Sequence, residues 1–122
     1  MLNNLTTSQQ IARHVVRCDA FWSRGRGLMF RRGLAKDEAY LFVERRESVA
    51  QTAIHMFFVF FPIAVVWLDR ERRVVDKALA RPFRPYYAPK CPAQYFIEGH
   101  VSLLERVSAG DQLDWPGTLT AE

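Results

Sequence analysis

The sequence predicts a mostly β domain of the α+β kind: a compact antiparallel β-barrel or sandwich-like body with two short helices. Three observations predict it. Nine Phe, three Trp and four Tyr in 122 residues favour a sheet-rich core or an aromatic-lined pocket. The most apolar run, Ala53 to Leu68, is built from strand formers and lacks a helical period. Elsewhere, short apolar or alternating runs are separated by polar, Gly-bearing or Pro-bearing turns. The length suits one domain, 1–122, that can bury a core without disulfide or metal, with 1–9 and 117–122 expected as loose termini.

In chain order, Ile11 to Cys18 (IARHVVRC) reads as an early strand. Asp19 suits the N-cap of a short helix through AFWSR, which Gly25 and Gly27 end. Glu38 to Glu44 (EAYLFVE) is a strand with Ala39, Leu41 and Val43 on one face and Tyr40 and Phe42 on the other. The apolar run then poses a choice between membrane helix and strands. As a helix it would reach only about 24 Å, short of a hydrocarbon core of roughly 30 Å, and Pro62 would break it. Strands are therefore predicted over 52–59 and 63–69, with a bend at Phe60 to Pro62. Asp69 to Arg72 makes a turn, and Arg73 to Ala80 returns to close a hairpin.

Arg81 to Pro92 (RPFRPYYAPKCP) holds four of the six prolines, so it reads as an extended aromatic loop. Ala93 to Glu98 returns to strand. Val101 to Val107 has helical spacing, Gly110-Asp111 is a turn, and Gln112 to Trp115 is a last short strand.

The net charge of +4 permits contact with anionic partners, but acids and bases are mixed and no arginine run tracks a phosphate backbone. A nucleic-acid partner is thus disfavoured, and no membrane span is predicted. Cys18 and Cys91 are far apart and form no C-x-x-C pair; two reduced thiols are expected. The polar start MLNNLTTSQQ lacks the pattern of a secretory signal, and a cytoplasmic protein is expected.

Three stretches together resemble one family. They are Arg26 to Arg31 (RGLMFR) followed by Asp37-Glu38 and Leu41-Phe42; Ile54 to Phe58 followed by Phe61-Pro62-Ile63 and Val65 to Asp69; and Tyr95 to Glu98 followed by Gly110-Asp111. Their order and spacing resemble the domain of unknown function 192 family, also called uncharacterised protein family 0127, over about Cys18 to Trp115. The resemblance implies a β-rich, barrel-like or sandwich fold with small helices and no established activity. The chain departs from the family pattern at Ala39-Tyr40, where many relatives have Gly-Met. Relatives that share the His and double Phe of His55 to Phe58 usually carry Arg and Asp where this chain has Phe60 and Ala64. The paired replacement predicts that Phe60 and Ala64 lie near each other and close a polar site.

No motif for catalysis, phosphate binding or metal binding is present, and no cofactor is expected. His55 reads as a core histidine or a pocket residue. Two loops combine arginine with aromatic residues: one carries Arg24 and Arg26 near Trp22 and Phe30, the other carries Phe83, Arg84, Tyr86 and Tyr87. Each could be a contact surface, or else a solvated loop or a packed lid. The leading expectation is a non-catalytic binding or accessory domain whose Arg/aromatic loops contact an unknown small ligand or protein. The alternatives are a small enzyme with a pocket including His55, and a weak nucleic-acid binder.

Overall fold

The computed structural model describes residues 1–19 and 33–117. Among the described residues, eight strands form two sheets: β1 (Leu2–Asn4), β2 (Gln9–Ala12), β3 (His14–Asp19), β4 (Glu38–Ser48), β5 (Ile63–Leu68), β6 (Val74–Ala80), β7 (Ala93–Gly99) and β8 (Leu113–Asp114). The larger sheet has the order β3-β4-β7-β5-β6, and the smaller has β2-β1-β8. β3 and β6 remain edges, so the expected barrel does not close among the described residues. The expected antiparallel pairing is also corrected at one place, because β3 runs parallel to β4 from His14↔Glu38 to Asp19↔Val43. A parallel neighbour needs a crossover of a dozen or more residues, and the chain between Asp19 and Glu38 is long enough to supply one.

The larger sheet is buried on both faces. The alternation read in EAYLFVE holds: Ala39, Leu41 and Val43 join Leu2, Ile11, Ala64, Val66, Ile97 and Leu113 in a core between the sheets. Tyr40 and Phe42 point to the opposite face, with Ile63, Val65, Trp67 and Phe96. There Phe42 and Phe96 stack with centroids 4.5 Å apart. All six residues of β5 are buried, which explains why its sequence shows no alternation. The predicted β5–β6 hairpin forms, in register from Ile63↔Ala80 to Trp67↔Asp76.

Four expectations are corrected. Two short helices were expected, but among the described residues the only helix is a single 3-10 turn, Val101–Glu105, too short to propagate an α-helix. The other expected helix, at AFWSR, lies outside the described residues. Residues 52–59 do not form a strand: they make one isolated bridge, Ile54↔Tyr87. Phe58 turns the chain with φ 59°, and the facing segment lacks donors at Pro82 and Pro85, so no ladder propagates.

The early strand is split at Arg13 into β2 and β3, one in each sheet. The N-terminus, expected to be loose, supplies β1, with Leu2 and Asn4 fully buried. Asn4 earns its place through hydrogen bonds: Nδ2 donates to Arg106 O (3.1 Å) and Asp111 Oδ2 (2.8 Å), and Oδ1 accepts from Thr6 and Thr7 N–H.

Candidate partner-binding surface

Residues 54–61 lie on the outer face of the larger sheet and show two faces of their own. Ile54, Met56 and Val59 are buried in the aromatic core. Phe57, Phe58 and Phe60 point outward, 45%, 47% and 55% exposed. The segment is anchored from below, because Trp67 Nε1 donates to Thr52 O at 2.7 Å and the Thr52 hydroxyl donates to Ser48 O.

Residues 81–87 pair with this segment along the main chain. Ile54 and Tyr87 exchange two hydrogen bonds, Met56 N donates to Arg84 O, and Phe83 N donates to Met56 O. The pairing brings Phe83 between two rings of the first loop. Its centroid is 6.2 Å from Phe58 and 5.2 Å from Phe60, both edge to face. Phe83 is 46% exposed and Tyr86 64% exposed, so five aromatic side chains share the surface of two joined loops.

Two of these residues hold unusual backbone. Phe58 and Phe83 have φ of 59° and 63°, a left-handed conformation that a bulky residue adopts at a cost of roughly 1–3 kcal/mol. The paired main chain stabilises both turns.

The sequence-expected site residues divide. Phe83 and Tyr86 are exposed in the joined loops, and Arg84 is exposed beside them. Tyr87 is half-buried against the core, and its hydroxyl accepts from Arg81 N–H at 2.8 Å, a bond that braces the loop. His55 is half-buried at the start of the first loop. Its Nδ1 accepts from Phe57 N–H at 3.2 Å, and its ring lies 5.4 Å from that of Phe57. Arg24 and Arg26 lie outside the described residues. Phe60 and Ala64 do not close a site together: Ala64 is buried between the sheets, whereas Phe60 lies in the exposed aromatic surface.

Sequence reasoning missed Phe57, Phe58 and Phe60, because an apolar run without a period gives no sign of which side faces water. It also missed Glu98. This residue lies in register between Tyr40 of β4 and Val65 of β5, only 6% exposed. Burial pushes its carboxyl up from 4.5 to about 8. Among the described residues no donor hydrogen-bonds that carboxyl.

Among the described residues, no second titratable group hydrogen-bonds His55, and no cluster of three His, Cys, Asp or Glu could hold a metal. A separate cleft of about 180 Å³ is lined by Gln10, Ile11, Ala12, Arg13, Asp37 and Arg106. It is smaller than the 300 Å³ or so at which ligand pockets begin. The aromatic loops are therefore the strongest candidate for function. They offer apolar area with cationic neighbours, suited to contact rather than to proton transfer.

Comparison with known proteins agrees with the early resemblance. Residues 3–115 match the DUF192 family, described as an uncharacterized ACR, and the chain belongs to that family. The UPF0127 protein of Thermococcus kodakarensis is 41% identical over 120 residues, covering 97% of this chain and 74% of the relative. The UPF0127 protein of Pyrococcus furiosus is 34% identical, covering 92% of this chain and 95% of the relative. A crystal structure of a protein of unknown function from Novosphingobium aromaticivorans superposes with a TM-score of 0.80 at 20% identity, covering 93% of this chain and 82% of the other. That likeness shows the fold alone.

Proposed function

We propose that this DUF192 protein is a non-catalytic binding domain that engages its partner through the aromatic surface of residues 54–60 and 81–87. The carrying observation is the outward placement of Phe58 and Phe83 on left-handed backbone, in loops that pair with each other. A fold that needed these rings only for packing would turn them inward, where each would bury apolar area without backbone strain.

Arg84 and His55 complete the contact surface, and Arg24 and Arg26 are further candidates on sequence grounds. Among the described residues the His55 ring makes one polar contact, to Phe57 N–H, which supports a binding role over acid–base work. The cysteines remain as thiols, one buried and one exposed, which supports action in the reducing cytoplasm.

The test is an amide-resolved NMR titration with a panel of metabolites, oligonucleotides, acidic peptides and lipid bicelles. Binding is expected to shift resonances of residues 54–60 and 81–87 first. Shifts centred on Arg13, Asp37 and Arg106, or no shift with any class, would overturn the reading.

A further inference from the structure

The partner's chemistry can be narrowed, on the premise that the aromatic loops are the binding surface. We infer that this surface docks on an anionic lipid bilayer, with Phe57, Phe58, Phe60, Phe83 and Tyr86 entering the interfacial layer and Arg81 and Arg84 meeting lipid phosphates.

The first argument is charge complementarity. No carboxylate occurs from Gln51 to Leu68 or from Lys77 to Ile97, the two stretches that supply the loops. Arg81 and Arg84 are exposed, and among the described residues neither pairs with a carboxylate. A cation close to an anionic leaflet contributes about 1 kcal/mol, Tyr favours the headgroup level, and Phe buries its ring at the boundary of headgroups and acyl chains. The surface therefore carries both signals that reversible membrane attachment requires, apolar insertion and positive charge.

The second argument separates a bilayer from a peptide. Peptide recognition by strand addition needs a free main-chain edge. Here the loops direct main-chain groups at each other: Ile54, Met56, Phe83 and Tyr87 donate, and Ile54, Met56, Arg84 and Tyr87 accept, all across the pair. The Tyr87 hydroxyl is also engaged, by Arg81 N–H. What faces outward is ring area and guanidinium, a combination with little directional hydrogen bonding and a good match for a fluid headgroup layer. No helix among the described residues is long and apolar enough to cross a membrane.

Co-sedimentation with large vesicles tests the inference. The protein is expected to pellet with mixed phosphatidylglycerol–phosphatidylcholine vesicles and to stay in solution with pure phosphatidylcholine. Phe60→Ser combined with Tyr86→Ser, at positions of ordinary backbone, should weaken binding about tenfold with little change in melting temperature. Arg81→Gln combined with Arg84→Gln should weaken it several-fold and flatten its salt dependence. Should the serine variant prove unstable, Tyr86→Trp provides a second readout: its added emission should shift to the blue on anionic vesicles. Unchanged binding by a folded serine variant, absence of the blue shift, or failure to pellet with anionic vesicles would each overturn the lipid assignment. If vesicles fail while an acidic peptide still shifts the 54–60 and 81–87 resonances, the surface belongs to a protein partner and the binding-domain reading survives. If vesicles fail and no class in the panel shifts those resonances, both readings fall.

Discussion

Glu98 sits where a carboxylate is costly, on the aromatic face of the larger sheet between Tyr40 and Val65. Burial raises its carboxyl to about 8, so the folded protein keeps a proton that the unfolded chain gives up above about 4.5. The sign follows directly. Stability linked to this proton is full below pH 4.5 and is lost as pH rises through 8, at up to about 1.4 kcal/mol per pH unit. Glu98→Gln cannot ionise, so urea melts from pH 5 to 8 should show a flatter decline for the variant than for the wild type. Equal slopes would show that Glu98 does not titrate in this window. At this scale, part of the proposed contact surface was legible: the proline-rich loop puts Phe83, Arg84 and Tyr86 close together in sequence as candidates. Phe57, Phe58 and Phe60 were not, because outward rings and core rings look alike in an aromatic run.

Among the elements, the β5–β6 hairpin was the most legible, since Pro62 fixes its start and Asp69 to Arg72 its turn. The turn holds more than its charged residues suggested. Asp69 Oδ1 accepts from Glu71 N–H and Arg73 N–H, and Arg72 takes φ 64°. The Arg72 guanidinium then lies 4.1 Å from the Trp115 ring centre, donates to Trp115 O at 3.0 Å and pairs with Asp114 at 3.1 Å. Trp115 is held from a second side by Tyr95, at 5.1 Å between centroids. The turn thus clamps the segment just after β8. Arg72→Ala should destabilise the fold by about 1–2 kcal/mol in chemical denaturation, from the lost cation–π contact and charged hydrogen bonds. Arg72→Gly should be milder by about 1 kcal/mol, because glycine accepts the left-handed backbone without strain. The sequence could not reveal this clamp, as it joins residues more than forty positions apart.

For the molecule as a whole, the small sheet joins the two ends of the described chain: β1 lies between β2 and β8 and pairs Asn3 with Asp114 and Asn4 with Leu113. The β class was legible from local composition, whereas barrel closure and strand order depend on pairings far apart in sequence, which composition does not encode. That topology has a kinetic consequence. The large sheet can form before the ends meet, and closing the small sheet must overcome the entropy of joining distant segments. Asn4 carries this closure, because its buried amide reaches Arg106 O and Asp111 Oδ2, and Asp111 Oδ2 also accepts from Ser108 N–H. Asn4→Ala would leave those acceptors without this donor and should cost about 2–3 kcal/mol. If the ends join late, most of that loss should appear as faster unfolding, with the refolding limb of the chevron nearly unmoved. A slowed refolding limb would instead place β1 in the folding nucleus, with the small sheet formed before the transition state is crossed.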